Sequence, residues 1–312
     1  MGQLIKLQDH ISRYETDIFH YPGQFIRLKK ERYELLKDQW NEEEYDSDPE
    51  TIEVEEEPEK RSLFSKWRAK TEVESPEEDE PEPLEMPESE EELKQWFLDQ
   101  IFDFQLKWAS GTIKEISYPD PAVIKHPRLK FFLQRFPDSY LLMFDPIFKI
   151  KKATIDGGII LITPLEILCI HFLETEDDGT IYESIDDKRW AKRTSESTKT
   201  FLNPMIHLNR IEKMVRSMLD YHEFNFPVKK VLIAEQATIQ SIQQPYMNTE
   251  FIDKHIYENW FSKYRSGGTP LKYQQLKAAE ALLAHTQTTS FIRPEWEDDD
   301  ERGEFSLDSS NE

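Results

Sequence analysis

Leu4, Leu7, Ile11, Tyr14 and Ile18 recur at three- and four-residue intervals, the spacing of one apolar stripe along a helix. The Tyr21-Pro22-Gly23 step predicts a break there. Beyond it, Phe25, Leu28, Leu35 and Leu36 lie among Arg27, Lys29, Lys30 and Arg32, which predicts a second helix with a basic face. Residues 3–40 therefore read as a helical hairpin, either docked on the core or serving as a partner-binding arm, because so narrow a stripe resembles a coiled-coil seam. Ser89 and Glu92 have capping-box spacing ahead of Leu93, Trp96, Phe97, Ile101, Phe104 and Trp108, so a deeply buried helix begins there. Pro127 opens another, which ends before Pro137. Residues 140–148, 153–162 and 166–173 read as strands, the last two joined as a hairpin through Thr163-Pro164-Leu165. The polar stretch 174–200 reads as irregular. Leu208, Ile211, Val215, Met218 and Leu219 then mark a helix, residues 228–233 a buried strand, and Ile256, Tyr257, Trp260, Phe261 and Tyr264 a further helix. Thr269 and Pro270 can cap a last helix running to about His285. This order predicts an α/β fold, a mixed sheet flanked by helices, in a domain over residues 89–286.

Charge divides the chain differently. The net charge of −23 is concentrated in residues 41–95, with 6 basic against 23 acidic side chains, and in residues 294–312, with 1 against 9. Residues 96–293 hold 25 basic and 24 acidic side chains, so the folded part is close to neutral and its charge neither excludes nor favours nucleic acid. The Glu- and Pro-rich composition of residues 41–88 and the acidic tail 294–312 predict disorder, because too little apolar surface is present to offset ordering entropy. One island, residues 61–70, sets Leu63, Phe64 and Trp67 on a common helical face among basic residues, a candidate interaction element. A single cysteine, Cys169, rules out an internal disulfide and suits a reducing compartment. With no apolar run of membrane-spanning length, the expected location is the cytoplasm, without membrane contact.

No phosphate-cradling glycine loop, Gly-x-Ser-x-Gly elbow or His-Glu-x-x-His helix is present. The strand opening on Ile155-Asp156, the later Trp190 and Asn203-Pro204 at a helix start, in this element order, resemble the nuclease-related domain (NERD) family over about residues 120–265. The resemblance implies a restriction-endonuclease-like fold and a nuclease or nucleic-acid-processing role. In that family an Asp on one strand and Glu-x-Lys on the next hold Mg²⁺ and neutralise the scissile phosphate, ahead of Asn-Pro-x-x-Gln at a helix start. Here Asp156 fills the first position, His171 and Leu173 stand where Glu and Lys belong, and His207 stands in place of Gln.

The resemblance thus implies a degenerate nuclease module that binds nucleic acid or a protein partner. Asp156, His171 and His207 are its candidate site residues. Either no cofactor is expected or, if the site is active, a divalent metal such as Mg²⁺ or Mn²⁺ held through Asp156. An active metal-dependent nuclease is one alternative. The other is a cytoplasmic scaffold acting through the hairpin and acidic arms. Strand alternation places His171 and Leu173 on the face of Asp156 and turns Glu174 away. The bland reading keeps His171 as a satisfied polar strand residue and gives Asp156 a local hydrogen bond.

Overall fold

The computed structural model describes residues 1–46, 87–150, 153–175, 177, 179–240 and 246–296. The island with Leu63, Phe64 and Trp67, most of the acidic linker and the tail from 297 lie outside the described residues. Two compact units emerge, residues 30–97 and residues 1–29 with 98–312.

The larger unit is a mixed α/β fold. Its main sheet has six strands in the order β1 (Gln3–Leu7), β3 (Leu141–Phe144), β6 (Ile159–Ile162), β7 (Ile167–Phe172), β11 (Val228–Ala234) and β13 (Thr249–Asp253). β1 runs parallel to β3, β6 is antiparallel to both neighbours, and β7, β11 and β13 are mutually parallel. Leu142, Phe144, Leu161, Leu168, Ile170, Val231 and Ile233 turn one face of this sheet into the principal core, with Leu129, Phe132, Trp260 and Tyr264 packed on it. Those last residues come from α5 (Pro127–Arg135) and α7 (Tyr257–Arg265). The other face is covered by α6 (Pro204–Tyr221) and α8 (Tyr273–Leu283). Cys169, fully buried there, has its thiol pushed up to about 12 by burial, so it packs as a small apolar side chain.

Gln3–Leu7 is a strand, not the start of a helical hairpin. All five residues are buried, and a strand covered on both faces shows no two-residue alternation, so its apolar spacing imitates a helix. The helical part begins with the short α1 (Arg13–Thr16) and resumes in α2 (Tyr21–Asp46), whose first turn is the expected break at Tyr21-Pro22-Gly23. Pro22 sits in the first turn of α2, where its missing N–H costs nothing.

Two of the expected strands are each divided in two. The β3–β6 pairing gives way to a ribbon of β4 (Ile147–Ile150) and β5 (Ala153–Asp156). At the junction Asp145 takes φ +47° and Gly158 φ +58°, and the Asp145 N–H donates to the Gly158 carbonyl at 2.9 Å. Beside it, a Cβ on Gly157 would lie 2.5 Å from the Phe148 ring, so the turn requires glycine.

The stretch expected to be irregular forms a second sheet in the order β10 (Thr198–Leu202), β9 (Arg189–Arg193), β8 (Ile181–Ser184) and β12 (Thr238–Gln240). Apart from Leu202 its exposed positions are charged or polar, which hid the pattern, while Trp190 is fully buried and stacks on Phe251. A small ribbon pairs β2 (Glu115–Ile116) with β14 (Phe291–Ile292), and α4 (Pro121–Ile124) precedes α5.

The smaller unit holds α2 from residue 30 onward and the first two turns of α3 (Glu90–Ala109). Tyr33 meets Phe97 with ring centroids 5.1 Å apart, Lys37 pairs with Glu90 at 3.0 Å, and the Trp40 indole donates to the Pro87 carbonyl. Ser89 accepts from the Glu92 N–H as the capping-box spacing predicts, while the Glu92 carboxylate accepts from the Glu88 N–H and not from that of Ser89. No helix among the described residues is long and apolar enough to cross a membrane.

Candidate functional site

His171 lies near the end of β7, beside Leu232 of β11, and faces α6. The opposing side chain is set by local chemistry. Asn203 caps α6, its side-chain oxygen accepting the Met205 N–H at 2.9 Å, and Pro204 supplies a helical φ. His207 follows one turn later. Its ring stands 5.4 Å from that of His171, centroid to centroid, at an interplanar angle of 59°. Gly158 leaves room for it, since a Cβ there would lie 3.3 Å from His207 Nε2.

Burial pushes the His171 imidazole down to about 4, reinforced by His207 and opposed by Glu174. Burial lowers His207 as well, with Asp156 opposing and Arg210 adding to the effect. Both rings are therefore neutral at pH 7, and His207, with a carboxylate nearby, is the better placed to hold a proton. Asp145, which the sequence reading did not single out, is held above the usual carboxylate range by burial and by Asp156, with His126 opposing. Its only sequence signal is the Asp145-Pro146 step closing the apolar run 141–144.

Asp156 is exposed and its Oδ1 accepts the Gly158 N–H at 2.8 Å, a local turn bond. It does not stand opposite Leu173. The β6–β7 ladder ends at Ile159 and Ile170, and Asp156 pairs with Ile147 in the separate ribbon because the chain turns at Gly157-Gly158. Leu173 is buried, its N–H donating to the Ile233 carbonyl at 2.7 Å. Glu174 is committed elsewhere: Arg128 holds its carboxylate through two bonds of 3.0 Å, reaches Glu235 at 2.6 Å and lies over the Phe172 ring. Among the described residues no group of three or more His, Cys, Asp or Glu side chains is arranged to hold a metal ion. Asp156, His171 and His207 are thus an imidazole pair with a carboxylate in electrostatic range of one ring.

The partly buried His171 imidazole has a consequence for stability. Between pH 6.5 and about 4 the unfolded chain binds a proton at His171 that the folded chain does not, so stability rises with pH across this window and is lost as pH falls through it. His207 acts in the same direction, and Asp145, raised on folding, in the opposite one. Urea midpoints taken from pH 7.5 down to pH 4.5 should therefore fall less steeply for His171→Gln than for the wild type. Parallel curves would disprove the burial of an uncharged His171.

No family model and no solved structure matches this chain. A curated relative from Geobacillus stearothermophilus, named RNA 2',3'-cyclic phosphodiesterase, is 44% identical over 114 residues, 34% of this chain and 36% of the relative's length. The match thus spans about a third of that protein. A phosphoesterase relative overturns the nuclease-related resemblance and the degenerate-nuclease function it implied. The residues that carried it have local explanations: Trp190 anchors the second sheet, and Asn203-Pro204 is a helix start found wherever a cap is needed.

Proposed function

We propose that this chain is a phosphoesterase acting on RNA ends that carry a 2',3'-cyclic phosphate, with His171 and His207 as its acid–base pair. The contact between these two imidazoles carries the reading, and the name of the Geobacillus relative supplies the substrate class. Opening a cyclic phosphate needs a base that takes a proton from the attacking water and an acid that protonates the departing ribose oxygen. Two rings on separate elements, one from β7 and one from α6, can address two oxygens of one phosphate.

His171, held uncharged, is the base. His207, in electrostatic range of Asp156, is the acid. Water oxygen bonds to phosphorus as its proton passes to His171. The bond from phosphorus to one ribose oxygen breaks as His207 delivers its proton there, leaving a phosphomonoester. Exposed Arg210 adds positive charge on the same helix, and the first turn of α6 presents its positive end to an anion.

The purified full chain should convert a 2',3'-cyclic nucleotide, or an oligoribonucleotide ending in one, to a phosphomonoester, followed by ³¹P NMR. No conversion by the wild type above the rate in buffer would end this reading.

A further inference from the structure

A second pair of imidazoles lies away from the His171–His207 contact. His222 caps the C-terminus of α6, its N–H shared between the Met218 and Leu219 carbonyls. His285 follows α8, its N–H donating to the Leu282 carbonyl and its own carbonyl accepting from Lys149. The two rings stand 5.2 Å apart at an interplanar angle of 69°, and Tyr221 touches both, at 5.2 and 5.3 Å. Backbone bonds on each side fix the main chain that carries the two rings.

His285 Nε2 is buried and has no hydrogen-bond partner among the described residues. A buried polar atom without a partner calls for an explanation such as an ion or water.

The spacing is that of an edge-to-face ring contact and equally that of two imidazoles on one metal ion. A Zn²⁺–N bond of about 2.0–2.1 Å puts the ring centroid roughly 3.2 Å from the metal, and a tetrahedral angle then separates two centroids by about 5.2 Å. Imidazole nitrogens without carboxylates suit Zn²⁺, Ni²⁺ and Cu²⁺ and are poor hosts for Mg²⁺ or Ca²⁺. We propose that His222 and His285 are ligands of a site for a borderline transition-metal cation of the Zn²⁺ class, with solvent completing the shell. Such an ion would join the end of α6 to the segment after α8 and would stabilise the folded chain in proportion to its occupancy.

The test is a calorimetric titration of the tag-free full chain with Zn²⁺ alone, paired with melting curves in Zn²⁺ and in chelator. Wild-type protein should bind Zn²⁺ and melt higher in its presence. His222→Ala, at an exposed helix end, should weaken binding by at least about 10- to 100-fold, since loss of groups that merely orient a ligand already costs that much. His171→Ala should retain the binding, which separates this site from the first pair. The proposal is overturned if wild type binds no Zn²⁺ up to about 0.1 mM, a level at which a usable site would fill. It is equally overturned if His222→Ala binds Zn²⁺ as wild type does.

Discussion

Replacing His171 or His207 with alanine is expected to lower turnover of a 2',3'-cyclic phosphate by about 10²- to 10⁴-fold, the range that a positioned general acid or base contributes. The pH profile distinguishes this role from a packing role. A base held at about 4 is competent at any pH above that, whereas an acid whose affinity for its proton lies below the usual imidazole value is protonated only on the acidic side of 6.5. For the wild type, kcat/KM should therefore fall as pH rises beyond 6.5. Asp156 opposes the lowering of His207, so Asp156→Asn should move that alkaline limb to lower pH without abolishing the reaction. An alkaline limb that stays put in Asp156→Asn, or alanine variants with wild-type rates, would refute the assignment.

Glu15→Ala is expected to destabilise the protein by about 3–5 kcal/mol, the cost of stranding a buried charge by removing its partner. Lys6, in β1, is fully buried, and its Nζ donates to Glu15 at 2.5 Å and to Thr288 at 2.9 Å. Thr288 in turn donates to the other Glu15 oxygen at 2.8 Å, closing a triad that ties the first strand to the segment after α8. Without Glu15 the ammonium would keep a hydroxyl and only the weaker pull of the Asp9 carboxylate. Burial already lowers the Lys6 affinity for its proton, with Glu15 opposing, so the unpaired side chain should shed its charge more readily. Replacing both members, Lys6→Met with Glu15→Leu, should cost far less than the single change, because no charge then remains to be buried. Urea denaturation of the three variants measures this directly. Equal losses in single and double variants would show that volume, not charge, governs the site.

Helix starts were legible along the chain because their chemistry acts over a few residues. Ser89 with Glu92, Pro127 behind His126, and Asn203 ahead of Pro204 each satisfy nearby N–H groups whatever the rest of the fold does. The apolar runs of β7 and β11 were equally plain, since strands at the centre of a sheet are buried on both faces. The same burial misled at Gln3–Leu7, where only pairing with β3, more than a hundred residues away, makes the segment a strand. β8, β9 and β10 stayed hidden because their exposed positions, Leu202 apart, are polar, and their order depends on partners such as β12. His171 and His207 were picked out by a family pattern that the phosphodiesterase relative displaces. What brings their rings together is the packing of α6 on β7, and no local spacing encodes a contact between residues 36 positions apart. Asp156 was read against Leu173 by strand alternation, and the Gly157-Gly158 turn, required by the Phe148 ring, sent it to Ile147 instead. His222 and His285 were ordinary single histidines in the chain. Their meeting belongs to the tertiary structure alone, because side-chain chemistry is written residue by residue while proximity is the product of every contact in the core.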